Sequence, residues 1–267
     1  MKRTLPLALA CVFTLLTYTP ASAQDWAKTT LEKSPRHQEW VEVKHDNRTV
    51  HAFVVYPESK QKAPAVIVIH EIFGLTDWVR TVADKLAEQG YIAIAPDLLS
   101  GFGPGGKGSD GFASTQDSMK AVSGLNPDTV TADLNATADY VKKLPAADGK
   151  IAVVGFCWGG GQSFRFATNR PDLKAAFVFY GPPPKDFATI KAPVYGFYAG
   201  DDARIGATIP DTTDAMKKAG KTYDPLSYDG AKHGFMRAGE DPSNTIEANK
   251  KAHDEAWQRW LALLKKL

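Results

Sequence analysis

Apolar and polar positions fall in alternating blocks along this chain. Five near-continuous apolar runs cover residues 64–70, 91–97, 151–156, 175–180 and 193–198. They are rich in Val, Ile, Ala and Phe and lack a polar face, which suits strands buried on both sides of a parallel sheet. Stretches with helical spacing lie between them. One covers 77–89 and closes at Gly90, a residue that tolerates the left-handed turn ending a helix. Another runs from Asn126 to 144, with Asn126 as N-cap and Pro127 in the first helical position. Residues 159–169, 208–219 and 244–264 complete the set, the last with Trp257, Trp260, Leu261 and Leu264 on one face. Shorter runs at 40–43 and 50–56 flank Asp46-Asn47-Arg48 and predict an antiparallel strand pair; 226–229 predicts a final strand. Strand–helix alternation predicts an α/β fold: a mostly parallel, doubly wound sheet flanked by helices, with the antiparallel pair at its N-terminal side.

The first residues follow a different pattern. Lys2 and Arg3 precede an apolar run from Leu5 to Tyr18, and Ala21-Ser22-Ala23 supplies an A-x-A site. Residues 1–23 therefore read as a signal peptide cleaved after Ala23, which predicts a secreted or periplasmic protein. The run is too short, and too broken by Pro20, for a membrane span. Ala8-Leu9-Ala10 before Cys11 is a poor lipoprotein match. Residues 24–40 are mostly polar and read as an N-terminal extension, leaving 41–267 as one domain.

Composition narrows the function. At 43% apolar and 23% charged residues, the chain is of ordinary globular type. Of its 32 Lys and Arg, Lys2 and Arg3 leave with the leader, so 30 bases face 30 acids. That balance gives no basic footprint for nucleic acid or an anionic membrane. Cys11 leaves as well, so Cys157 is the one remaining cysteine and no internal disulfide is possible. A lone thiol in an oxidising compartment is exposed to oxidation, which suggests that it does chemistry.

Cys157 sits in Gly155-Phe156-Cys157-Trp158-Gly159, between an apolar strand and a helix. A G-x-nucleophile-x-G segment at such a turn is a nucleophile elbow. The glycines let strand and helix approach closely, and the turn lifts the nucleophile above the sheet. The helix start favours a thiolate, and the Trp158 N–H is available to a developing oxyanion. A thiol of ordinary pKa needs a base. Only His233 and His253 follow it. His253 falls inside the last helical pattern, whereas His233 lies in a loop after the strand at 226–229 and is the expected base. The acid should follow a strand between nucleophile and base, which points to Asp201 or Asp202; spacing alone does not choose between them.

With these features the chain resembles the dienelactone hydrolase family of α/β-hydrolases, over roughly 41–264. The motifs that carry the resemblance are His70-Glu71-Ile72-Phe73-Gly74, Ala95-Pro96-Asp97-Leu98, the cysteine elbow, and Lys232-His233-Gly234-Phe235. The resemblance implies Cys157 as nucleophile, His233 as base and Asp202 as acid. It implies that Glu71 contacts the resting thiol and helps to activate it, that the Ile72 and Trp158 N–H groups form the oxyanion hole, and that Arg237 grips a substrate carboxylate. The family's second carboxylate-binding arginine is missing: residues 98–101 read Leu-Leu-Ser-Gly.

The expectation is a hydrolase that cleaves a small ester or lactone through a thioester, without cofactor or metal. Its partner is then a small molecule, not nucleic acid or membrane, and the chain acts as a monomer or small homo-oligomer. His70-Glu71 begins like a zinc signature, but position 74 is glycine and the second histidine is absent. The run 101–106 matches a dinucleotide-binding glycine pattern in letters only; Pro104 and further glycines stand where a helix should start, so a mobile loop over the site is expected. The competing class is a thiol redox or ligand-binding protein on the same fold with little hydrolysis.

Overall fold

The five apolar runs form the middle of a single sheet. In the computed structural model, which describes residues 25–267, they become β3 (Ala63–Ile69), β4 (Ile92–Pro96), β5 (Ala147–Phe156), β6 (Ala175–Phe179) and β7 (Val194–Ala199). The expected leader, 1–23, lies outside the described residues. β1 (Gln38–His45), β2 (Arg48–Val55) and β8 (Tyr223–Tyr228) complete the order β1-β2-β4-β3-β5-β6-β7-β8. β1–β2 and β2–β4 pair antiparallel, and the other neighbours pair parallel.

Successive residues of a strand face opposite sides of the sheet. In β3, Val66 and Val68 join one core while Ile67 and Ile69 join the other. This two-sided burial is why the strands lack a polar face. The first core is closed by α1 (Asp25–Glu32), α2 (Asp77–Glu88), α8 (Phe235–Glu240) and α9 (Glu247–Leu264), through Trp78, Phe235, Trp260 and Leu264. The second is closed by α4 (Pro127–Lys143), α5 (Trp158–Asn169) and α7 (Ile209–Lys218), through Leu134, Phe164 and Met216. Each large side chain so buried contributes about 2 kcal/mol of transfer free energy.

The helix caps follow the sequence. The Asn126 side chain accepts from Asp128 N–H at 2.7 Å and Thr129 N–H at 3.3 Å, with Pro127 next to it. Four helices were not expected: α1, α8, one at Thr115–Ser123 and a short one at Ala203–Gly206. α3 (Thr115–Ser123) follows the glycine-rich stretch and buries little beyond Ser118 and Val122. α1 buries only Ala27 and Leu31. Residues 25–40, read from their polarity as an extension, are packed into the domain. Ser34 Oγ, Arg36 Nε and Gln38 Nε2 all donate to the buried Asp84 carboxylate, at 2.6, 3.1 and 3.0 Å. Polar side chains here serve a buried acceptor, which hydrophobic patterning does not register.

The topology collects the candidate residues at one edge. Glu71 follows β3, Asp97 follows β4, Cys157 follows β5, Asp201 and Asp202 follow β7, and His233 follows β8. These are the carboxyl ends of the strands, where open α/β sheets bind ligands.

Candidate active site

The elbow owes its shape to contacts that leave no room for a side chain. A Cβ on Gly155 would stand 1.9 Å from Gly159 O, and one on Gly159 would stand 2.3 Å from His70 O. Between them Cys157 holds φ 56°, ψ −117°, a conformation costly for a non-glycine residue. The half-buried sulfur receives the backbone N–H groups of Ile72 and Trp158. Burial pushes the thiol pKa up, and the Glu71 charge adds to this; the two N–H groups and the Arg204 cation pull the other way, and the net is upward. The resting sulfur is therefore a thiol that needs a base.

The imidazole of His233 lies 2.5 Å from Asp202 through Nδ1 and Oδ2. Asp202 is buried, and its other oxygen accepts from Ile205 N–H at 3.3 Å at the start of the short α6 (Ala203–Gly206). A carboxylate on Nδ1 keeps the proton there and leaves Nε2 as the free base. The neighbouring Asp201 is exposed and binds Lys232 Nζ at 2.6 Å. The two aspartates that spacing could not separate are thus distinguished by their partners. Among the described residues, no hydrogen bond joins Cys157 to His233. His253 binds Glu240 at 2.9 Å, within the helical layer.

Glu71 is 2% exposed and accepts from Arg237 Nε at 2.8 Å. Burial pushes its carboxyl pKa up; Arg237 and His233 oppose this without cancelling it. The guanidinium of Arg237 also stands 5.3 Å from the Phe73 ring centroid. In this arrangement Glu71 acts on the thiol through its charge, while its hydrogen bond goes to Arg237. A substrate carboxylate would compete with Glu71 for that arginine.

Three residues near the site were not singled out as functional from sequence. Arg204 is exposed on α6, two positions past Asp202, and its cation acts on the sulfur. Tyr180, at φ 40°, sets its ring 5.0 Å edge-on to that of His233. It is fully buried, its hydroxyl has no partner among the described residues, and burial with the nearby Glu71 and Cys157 charges holds its pKa well above the ordinary value. His70, which opens a resemblance motif and was given no role of its own, is wholly buried beside the elbow. An arginine after an acid and an apolar residue ending a strand give a sequence reader no periodic signal. No group of three or more His, Cys, Asp or Glu among the described residues is placed to hold a metal.

The glycine-rich stretch is tied down. The Asp97 carboxylate accepts from Ser109 N–H at 2.7 Å, Ser109 Oγ at 2.6 Å and Leu99 N–H at 3.1 Å. A Cβ on Gly108 would meet Asp97 Oδ2 at 2.1 Å, so glycine is required there. The loop closes one side of a 570 Å³ cleft that also includes Trp40, Leu75 and Arg80.

Sheet order, elbow and loop-borne acid and histidine together define an α/β-hydrolase. Within that class, the dienelactone hydrolase family profile matches residues 50–267, and the chain belongs to this family. It is 32% identical over 260 residues to a Saccharolobus solfataricus protein provisionally named carboxymethylenebutenolidase, covering 83% of this chain and 96% of that one. A Yersinia pestis protein with the same provisional name is 34% identical over 212 residues, covering 74% and 76%. A crystal structure from Klebsiella pneumoniae, provisionally assigned as a dienelactone hydrolase, superposes with a TM-score of 0.73 at 28% identity, covering 85% of this chain and 97% of its own. The protein is a dienelactone hydrolase-like hydrolase.

Proposed function

We propose that this is an exported hydrolase of small carboxylic esters or lactones that works through a thioester on Cys157. The observation that carries the reading is the pairing of His233 with buried Asp202 at 2.5 Å, on the same sheet edge as a strained cysteine elbow. The N–H groups of Ile72 and Trp158 that would hold the oxyanion are occupied by sulfur at rest. A substrate carbonyl entering that position displaces the sulfur toward His233. Nε2 then takes the thiol proton as sulfur attacks the carbonyl carbon. The oxyanion forms against the two N–H groups, which supply more stabilisation as charge develops. Collapse expels the alkoxide or enolate, protonated by the imidazolium; water, activated by His233, then hydrolyses the thioester.

Substrates bearing a carboxylate fit best. Arg237 can exchange Glu71 for a substrate carboxylate, and Arg204 supplies a further cation near the sulfur. Export is supported by the charged start, apolar run and A-x-A site of residues 1–23, and by the single thiol left afterwards.

The experiment is hydrolysis of small aryl esters and enol-lactones by wild type and Cys157→Ala, with mass spectrometry for an acyl adduct on Cys157. The variant is expected to lose about a thousandfold or more in kcat. Undiminished turnover by Cys157→Ala rules the reading out. So does a wild-type protein that turns over no acyl substrate while peroxide oxidises Cys157 stoichiometrically.

A further inference from the structure

His70 contacts both the Glu71–Ile72 peptide and the side chain of Trp158; the Ile72 and Trp158 backbone amides face the Cys157 sulfur. Its Nδ1 lies 2.7 Å from the carbonyl oxygen of Glu71. A carbonyl only accepts, so Nδ1 carries the proton and donates. Its ring stacks on the Trp158 indole, with centroids 5.4 Å apart and planes 13° from parallel. The histidine is 0% exposed, and its Nε2 has no partner among the described residues. Its own carbonyl abuts the elbow, since a Cβ on Gly159 would meet it at 2.3 Å.

The Glu71 carbonyl and the Ile72 N–H belong to one planar peptide unit. In a trans peptide the two groups point in opposite directions. A donor fixed on the carbonyl therefore fixes the direction of the N–H across the plane. It also polarises the unit, because hydrogen bonds in series strengthen one another. A histidine that served only as filler would not have to leave a buried ring nitrogen without a partner, which costs free energy. Burial holds the imidazole pKa below its ordinary value, so the ring stays neutral and in this one tautomer.

We infer that His70 is a positioning residue for the oxyanion hole: it orients and polarises the Glu71–Ile72 peptide through Nδ1–H while its ring braces Trp158, the other donor residue. The inference rests on the hydrolase reading above. His70 touches no reacting atom. Its effect passes through the Ile72 N–H, so it should appear both in turnover and in the acidity of the sulfur which that N–H contacts.

Two substitutions separate the parts. His70→Phe keeps a ring to stack and removes the donor. His70→Asn carries an amide N–H near the position of Nδ1 and removes the ring. Kinetics are normalised to active sites titrated with a thiol reagent. His70→Phe is expected to lose about tenfold or more in kcat, less than removal of a whole oxyanion donor costs, with KM changed less than about threefold. The pH profile of Cys157 alkylation by iodoacetamide should shift upward in the same variant. His70→Asn should recover most of the kcat loss and return the profile toward wild type.

A stability role alone would lower the melting temperature but leave kcat per titrated site and the alkylation profile unchanged, and that result overturns the inference. Equal losses in His70→Phe and His70→Asn also overturn it, because the donor would then not matter. Should His70→Phe fail to fold, His70→Gln, whose amide reaches too far, is judged by the same criteria. Cys157→Ala run alongside separates the two claims: an active Cys157→Ala removes the hydrolase reading itself, whereas an inactive one beside a wild-type-like His70→Phe removes only this inference.

Discussion

The buried carboxylates around Cys157 are answered by partners far away in sequence. Glu71 and Arg237 are separated by 166 positions yet share a 2.8 Å hydrogen bond. A carboxylate beside a thiol disfavours the thiolate, and the Glu71 charge acts on Cys157 in that direction, second only to burial. Glu71→Gln keeps shape and hydrogen-bonding capacity but removes the charge. The thiol pKa should then fall, so iodoacetamide alkylation gains rate on the acid side of its profile. No shift, or an upward one, would mean that the Glu71 charge is not felt at the sulfur. Such pairings mark the limit of what residues reveal alone. Cys157 and His233 were legible as candidates because an elbow and a chain order are local rules. Spacing did not divide Asp201 from Asp202; the family resemblance pointed to Asp202, and in space one pairs with Lys232 and the other with His233.

At the scale of elements, α8 holds the loop that carries His233 and itself bears Arg237. It has six residues, too short to hold its position by helix formation alone. Its last residue, Glu240, fastens it. That carboxylate is 2.6 Å from Lys85 on α2, 2.9 Å from His253 on α9, and accepts from Trp78 Nε1 at 3.2 Å. Burial alone would raise the Glu240 pKa; His253 and Lys85 outweigh it, and the net is downward. A carboxyl group with a lowered folded-state pKa stabilises the fold above its ordinary pKa, and this contribution fades as pH falls through the lowered value. Glu240→Gln should therefore cost about 2 kcal/mol near neutral pH, read as an earlier urea midpoint. The gap from wild type should narrow below about pH 4. A gap that persists undiminished in acid would assign the loss to packing instead of charge. None of this was readable from the last helix, where His253 showed only as a position inside an apolar pattern. By contrast the central strands were fully legible, because burial on both faces is written into their composition.

For the whole molecule, the question is where the folded body begins. Polarity placed its start near Val41, but the packing starts it at α1. Ala27 and Leu31 enter the core, while Ser34 and Arg36 turn back to Asp84, whose exposure is 2%. The proposed cleavage after Ala23 would leave a single residue ahead of α1. Deleting residues 24–37 would strip Asp84 of Ser34 and Arg36 and leave a buried carboxylate with Gln38 as its remaining side-chain partner. Losing partners from a buried ion pair costs about 3–5 kcal/mol. For a chain of this size that lowers the melting temperature by roughly ten degrees. The segment packs against the side of α2, whereas the candidate site lies at the carboxyl ends of the strands. Turnover per folded molecule at low temperature should therefore stay near wild type while thermal stability falls. An unchanged melting temperature would make the segment an appendage after all. A collapse of kcat in molecules still folded by circular dichroism would mean that the segment reaches the site by a route the packing does not reveal.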